Sequence, residues 1–300
     1  MATSVREFLE RNASVALDQP ASSVNVSRNT RLSLSFPQRL SSVRHPLARR
    51  LMEAMFRKRS LLCLSADTRS ANELLQVARE AAPHIILLKT HSDAVQGFSR
   101  STGMELKRLA KEHDFLLMED RKYSDIGSTV QSQYKASPIC VNTWADLVTV
   151  HALPGPGVLE ALRQVPCTGD RGVVLIAEMS SEGTLADKEY AERVVSMSEQ
   201  FRDFVCGFVA QSPVHRDPGM LQMTPGVKLA TSDEATSGDG LGQKYHSVRD
   251  AVVNRGADII IVGRGILKSD DRSDAAESYQ RASFDAYMER ISRQSFSICV

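Results

Sequence analysis

From residue 61 onward the chain repeats one unit, a short and wholly apolar run followed by a helical pattern. The runs are LLCLSA (61–66), IILLK (85–89), FLLMED (115–120), ADLVTVH (145–151), GVVLIAE (172–178), FVCGFVA (204–210), MLQMTPG (220–226) and ADIIIVG (257–263). They are continuous in hydrophobicity rather than alternating, as in strands buried on both faces. Helical spacing fills most of the gaps, as in SANELLQVAREAA (70–82) and TGMELKRLAKEH (102–113). Eight such units over roughly 230 residues predict an α/β fold closed as a (β/α)8 TIM barrel. A doubly wound open sheet is the alternative, but it usually holds fewer strands.

The segment ahead of the barrel differs. Residues 1–60 carry eleven Lys/Arg against four Asp/Glu. SVREFLERNASVAL predicts a short amphipathic helix with Val5, Phe8 and Leu9 on one face, and residues 19–35 read as a linker. HPLARRLMEAMFRKRS places Leu47, Leu51, Met52, Met55 and Phe56 at helical spacing, and its RKR reads as a solvated helix end. The expected division is an N-terminal tail or linker over 1–35, with a helical extension, a barrel over 36–293 and a C-terminal tail over 294–300.

A net charge of +1 gives no electrostatic case for nucleic acid or an anionic membrane. No apolar run nears the roughly 18 residues of a membrane helix. The N-terminus lacks a secretory apolar segment, and Glu7 and Glu10 argue against a transit peptide. Cys63, Cys140, Cys167, Cys206 and Cys299 form no CxxC pair, which predicts reduced thiols and a cytoplasmic location. Seven histidines show no HExxH spacing, so no metal is expected. HALPGPGVLEAL has Glu160 where a dinucleotide fingerprint needs its third glycine, so no nicotinamide cofactor is expected either.

A barrel of this kind collects its chemistry at the carboxyl ends of its strands. Read in order, those ends offer Asp67, Lys89, Asp120 with Lys122, His151, Glu178 with Ser180, Gln211, Thr224 and Arg264. In DRKYSDIG, Asp120 and Lys122 are two apart, which on an extended strand points both to one side. Carboxylates beside a lysine keep it charged, which suits a proton donor and disfavours an imine-forming amine. Lys89 ends an apolar strand, where an unpaired ammonium is costly. IIIVGRGI sets Gly263, Arg264 and Gly265 after the last strand, where backbone N–H groups and a guanidinium can hold phosphate. Residues 228–247 are rich in Gly, Ser and Asp and read as a lid, with Gln243 and Tyr245 at its far end.

LSAD (64–67), LKTH (88–91), DRKYSDIGSTV (120–130), AEMSS (177–181), TPGV (224–227), LGQKY (241–245) and VGRG (262–265) together resemble the orotidine 5′-monophosphate decarboxylase family. The likeness runs in order from about Phe36 to Ser292, and is to the form fused within bifunctional UMP synthase. VREFLERNASVAL looks like the closing helix of the orotate phosphoribosyltransferase half. The resemblance implies decarboxylation of orotidine 5′-monophosphate to UMP, the last step of de novo pyrimidine synthesis, with no cofactor. It implies a charged tetrad of Lys89, Asp120, Lys122 and Asp125, with Lys122 protonating carbon six. It further implies a homodimer in which Asp125, Ile126 and Thr129 reach the partner's site. Asp67 and Lys89 would hold the ribose and Ser65 would help place the ring. Ser180 would read the pyrimidine edge, Pro225 would line the pocket, and Gln243, Tyr245, Gly263 and Arg264 would hold the phosphate. Lys244 and the tail SFSICV depart from the pattern. Two rivals remain at this level: an aldolase-type barrel working through a lysine imine, and a nucleotide-binding barrel without turnover.

Overall fold

The computed structural model describes residues 30–135, 138–167, 169–229 and 242–296. The helix expected over 4–17, the middle of the lid and the last four residues lie outside them.

Each apolar run forms a strand: β1 (Leu62–Ser65), β2 (Leu87–Thr90), β3 (Leu116–Tyr123), β4 (Leu147–His151), β5 (Gly172–Ile176), β6 (Val205–Val209), β7 (Leu221–Pro225) and β8 (Ile259–Val262). All neighbouring pairs are parallel, and β1 pairs with both β2 and β8, which closes the ring. Every residue of β1, β2, β5 and β8 is buried. The barrel interior covers one face and the helix layer the other, which explains the unbroken apolar runs. The closed ring excludes the open sheet.

Among the outer helices, α1 (Pro46–Lys58) buries Leu47, Leu51, Met52 and Met55 as its spacing requires. Its start is fixed by Pro46 in the first turn and by the His45 ring, which accepts the Leu47 N–H. It stops at Arg59, which adopts a left-handed conformation. α2 (Ala71–Ala81) is capped by Ser70 and α3 (Arg100–His113) by a Ser99–Thr102 capping box. α4 (Gly127–Lys135), α5 (Gly157–Arg163), α6 (Lys188–Ser198), the one-turn α7 (Arg264–Leu267) and the long α8 (Arg272–Phe296) follow.

One boundary needs correction. The linker expected over 19–35 ends earlier, because Thr30–Ser33 is helical and Arg31 is fully buried. The Arg31 guanidinium donates to Asp258 Oδ2 at 2.9 Å, the Gly256 carbonyl at 2.8 Å and Gln222 Oε1 at 2.8 Å. Arg39 forks onto the same carboxylate at 2.7 and 3.1 Å, and Arg290 approaches it at 3.3 Å. Asp258 immediately precedes β8, so this cluster plugs the amino-terminal end of the barrel. Burial would raise the Asp258 carboxyl, but Arg39 and Arg31 hold it far below the usual range.

Candidate active site

The opposite end of the barrel is open. A cavity of about 370 Å³ lies over the carboxyl ends of the strands, and charged groups from β1, β2 and β3 meet on its floor. Asp120 is the hub. Its carboxylate accepts from Lys89 Nζ at 2.8 Å and from Thr149 Oγ1 at 2.7 Å, and pairs with Lys122 Nζ at 3.0 Å. His91 Nε2 lies 3.0 Å from Asp120, and its Nδ1 lies 2.6 Å from Asp67. Ser65 Oγ donates to the far oxygen of Asp67 at 2.8 Å. A continuous line of hydrogen bonds and ion pairs thus runs from Ser65 through Asp67, His91 and Asp120 to the two lysines.

Lys122 reaches Asp120 by a route that strand alternation does not describe. Its φ is 52°, in the left-handed region, and the β3–β4 register shifts between Glu119 and Tyr123. The Lys122 N–H is held by Thr149 Oγ1 at 3.0 Å. One hydroxyl therefore fixes both the backbone of the lysine and the carboxylate it faces.

The electrostatics follow from this wiring. Burial would raise the Asp120 carboxyl, but Lys89, His91 and Lys122 together keep it well below its ordinary value. Burial would likewise lower Lys89, and Asp120 with Asp67 overcomes that, so its ammonium is favoured. The hydrogen bonds to Asp120 and Asp67 raise His91. Asp67 falls to about 2, because His91 and Lys89 outweigh its burial. Behind the floor, on the outer side of β3, Glu119 is fully buried and accepts from the N–H and Oγ of Ser92. With burial dominant, its carboxyl rises to about 7.

Ile176, Val209, Pro225 and Ile261 supply apolar wall, and Ser180, Gln243, Tyr245, Gly263 and Arg264 complete the lining. Ser180 Oγ donates to Gln243 Oε1 at 3.1 Å, and the Lys244 N–H donates to the Ser180 carbonyl. The end of the expected lid is thereby tied to the β5 exit. Gly226, at φ 77°, makes the turn out of β7, and a Cβ there would collide with the Lys244 carbonyl.

Most of the residues expected at the site thus share one cavity. Asp125, Ile126 and Thr129 do not line it: Asp125 is exposed and Ile126 is 66% exposed, on the outer start of α4. Within one chain the tetrad is therefore a triad, Lys89–Asp120–Lys122, extended by His91. Of the other strand-end residues, Thr224 is buried beneath the cavity, its Oγ1 donating to the Ala210 carbonyl. Gln211 lines a neighbouring pocket instead. His91 and Thr149 were not singled out from sequence, although each left a trace. His91 is two residues beyond Lys89, and Thr149 interrupts the apolar strand ADLVTVH. Among the described residues no group of His, Cys, Asp and Glu has the arrangement of a metal site.

A closed parallel barrel with ionised groups converging on a cavity at its carboxyl ends defines an α/β-barrel enzyme that acts on a small molecule. Comparison with known proteins narrows this. A family model described as "Orotidine 5'-phosphate decarboxylase / HUMPS family" matches residues 60–279. The orotidine 5'-phosphate decarboxylase of Rhizopus oryzae is 39% identical over 259 residues, which are 85% of this chain and 96% of that protein. Uridine 5'-monophosphate synthase of Bos taurus is 43% identical over 288 residues, which are 96% of this chain but 59% of the bovine protein. The crystal structure of orotidine 5'-phosphate decarboxylase from Pyrococcus horikoshii shares the barrel fold at a TM-score of 0.56 and 22% identity, over 74% of this chain and 98% of that one. The Methanocaldococcus jannaschii enzyme complexed with inhibitor BMP superposes at a TM-score of 0.57 and 21% identity, over 74% and 97%. The chain belongs to the orotidine 5'-phosphate decarboxylase / HUMPS family.

Proposed function

We propose that this chain decarboxylates orotidine 5′-monophosphate to UMP, with Lys122 as proton donor to carbon six and no cofactor. The observation that carries the reading is the contiguous Lys89–Asp120–Lys122 line on the floor of an apolar-walled cavity. As carbon dioxide leaves, the bonding electron pair stays on carbon six, where the ring delocalises it little. An ammonium already in place stabilises that charge without solvent reorganisation. Lys122 then gives its proton to carbon six and recovers one from water.

Asp120 keeps the ammonium aimed and stands where it would face the substrate carboxylate. Two like charges about 4 Å apart are worth roughly 4 kcal/mol at an effective dielectric near 20. Enzymes of slow reactions lower barriers by about 23 kcal/mol or more, so repulsion is a minor contributor. Binding of the distant phosphate by Gln243, Tyr245, Gly263 and Arg264, used to draw the lid over the site, supplies much of the rest. Asp67 and Lys89 hold the ribose, Ser65 steadies the ring, Ser180 reads its edge and Pro225 lines the pocket. An imine-forming lysine must be neutral, and the upward push on Lys89 speaks against the aldolase reading.

The exposure of Asp125 and Ile126, with Thr129 half-buried and outside the cavity, supports a homodimer in which the three complete the partner's cavity. Mixed dimers of inactive Lys122→Ala and Asp125→Ala chains should then recover part of the activity, and a mixture that stays dead removes the shared site. The buried thiols of Cys63 and Cys206, which form no disulfide among the described residues, support a cytoplasmic location. The decisive test follows the ultraviolet absorbance of orotidine 5′-monophosphate without added metal. Loss with wild type and none with Lys122→Ala is expected; UMP binding without turnover by wild type would leave a binding barrel.

A further inference from the structure

Beyond Gly226 the chain forms Val227–Lys228, which pairs in parallel with His246–Ser247. That two-residue ladder fixes the backbone of Lys228 beside Tyr245, at the opposite end of the lid excursion. The Lys228 ammonium lies 3.5 Å from the centroid of the Tyr245 ring, and the Arg264 guanidinium carbon lies 5.4 Å from the same ring. Lys228, Tyr245 and Arg264 all line the cavity, together with Gln243 and Gly263. Lys228 falls just outside the TPGV stretch, so the family resemblance assigns it nothing.

We infer that Lys228 is a second phosphate-binding cation, its ammonium meeting the phosphate dianion beside Arg264. The inference rests on the decarboxylase reading, which puts the substrate phosphate at this end of the cavity. A phosphate monoester carries about −1.5 to −2 charge at pH 7, and one arginine offsets only part of it. With both cations against one aromatic ring, an anion bound there meets both. The ring meanwhile holds the ammonium at the cavity wall through its negative face. Lysine suits the task, since its flexible stem lets a compact charge swing a short way from ring to phosphate.

The test compares inhibition constants of UMP and uridine against orotidine 5′-monophosphate turnover in wild type, Lys228→Met and Lys228→Arg. Methionine keeps the apolar stem and removes the charge. It should weaken UMP about tenfold or more, as expected for loss of a charge-assisted hydrogen bond, and raise KM. Uridine, which has no phosphate, should bind all three alike, and arginine should keep UMP within about threefold of wild type. Equal UMP affinity in wild type and Lys228→Met overturns the inference, as do equal losses for UMP and uridine or an arginine variant no better than methionine. A wild type without turnover or UMP binding overturns the decarboxylase reading and this inference together. Normal wild-type turnover with an indifferent Lys228→Met removes the inference alone.

Discussion

The two ends of the barrel carry the same electrostatic device and use it differently. At the amino end, three guanidiniums from Arg31, Arg39 and Arg290 grip Asp258, and every partner is at most 2% exposed. At the carboxyl end, two ammoniums and an imidazole grip Asp120, and Lys122 is 35% exposed to the cavity. In both places surplus cation keeps a buried carboxylate ionised. The cations decide the rest. A guanidinium forks onto fixed oxygens and effectively never gives up its proton, so the sealed end can only hold structure. An ammonium on a flexible stem can point at a reacting atom and release a proton, and an open cavity lets a substrate reach it. Glu119 is a third case, a buried carboxylate bonded to Ser92 with burial outweighing those bonds.

The largest expected effect isolates the open end. Lys122→Ala should reduce kcat/KM by roughly 10⁴-fold or more while leaving the unfolding midpoint within a degree or two of wild type, since on the proposed mechanism it removes the charge that meets the transition state. A parallel collapse of stability would mean that the two ends do the same job. Next comes the sealed end. Asp258→Asn strands three buried guanidiniums and should cost about 3–5 kcal/mol in denaturant unfolding, with kcat per folded molecule unchanged. If activity fell and stability held, the assignment of roles would be reversed.

Glu119 sharpens the contrast through pH. Its folded pKa of about 7 lies above the 4.5 of an ordinary glutamate, so the folded state keeps a proton that the unfolded state has released. Its contribution is fully present below about pH 4.5 and is lost as pH rises to about 7, a swing of up to about 3 kcal/mol. Glu119→Gln should flatten that part of the stability–pH curve, and identical slopes in the two proteins would count against it. The smallest effect is expected at His91, which positions Asp120 from the side. His91→Gln keeps at most part of the bridge to Asp67 and should cost about tenfold in kcat/KM, with little change in stability.

Sequence exposed the open end far better than the sealed one. Strands buried on both faces announce themselves as unbroken apolar runs, and the groups at their ends stand out against that background. Lys89, Asp120 and Lys122 were legible for that reason. Arg31, Arg39 and Asp258 were not, because a polar residue buried by pairing with another more than two hundred positions away leaves no local pattern. Arg31 even fell in a stretch that reads as linker. The left-handed backbone at Lys122 was also invisible, since it is imposed by a shifted register and a threonine on the next strand. That Asp125 would stand outside the cavity of its own chain followed only from the resemblance, because spacing put it on the loop nearest to Lys122.

The sealed cluster also carries a consequence in time. Arg31 and Asp258 are separated by 227 positions, and a ribosome adds roughly 5–20 residues per second. The Arg31 guanidinium is therefore made some ten to fifty seconds before its partner exists, and Arg290 later still. For that interval two arginines stay hydrated on a chain whose first strands have no closing neighbour, since β1 must wait for β8 to complete the ring. The bond that seals the barrel thus cannot form before β8 is made, so sealing and ring closure wait on the same stretch of chain.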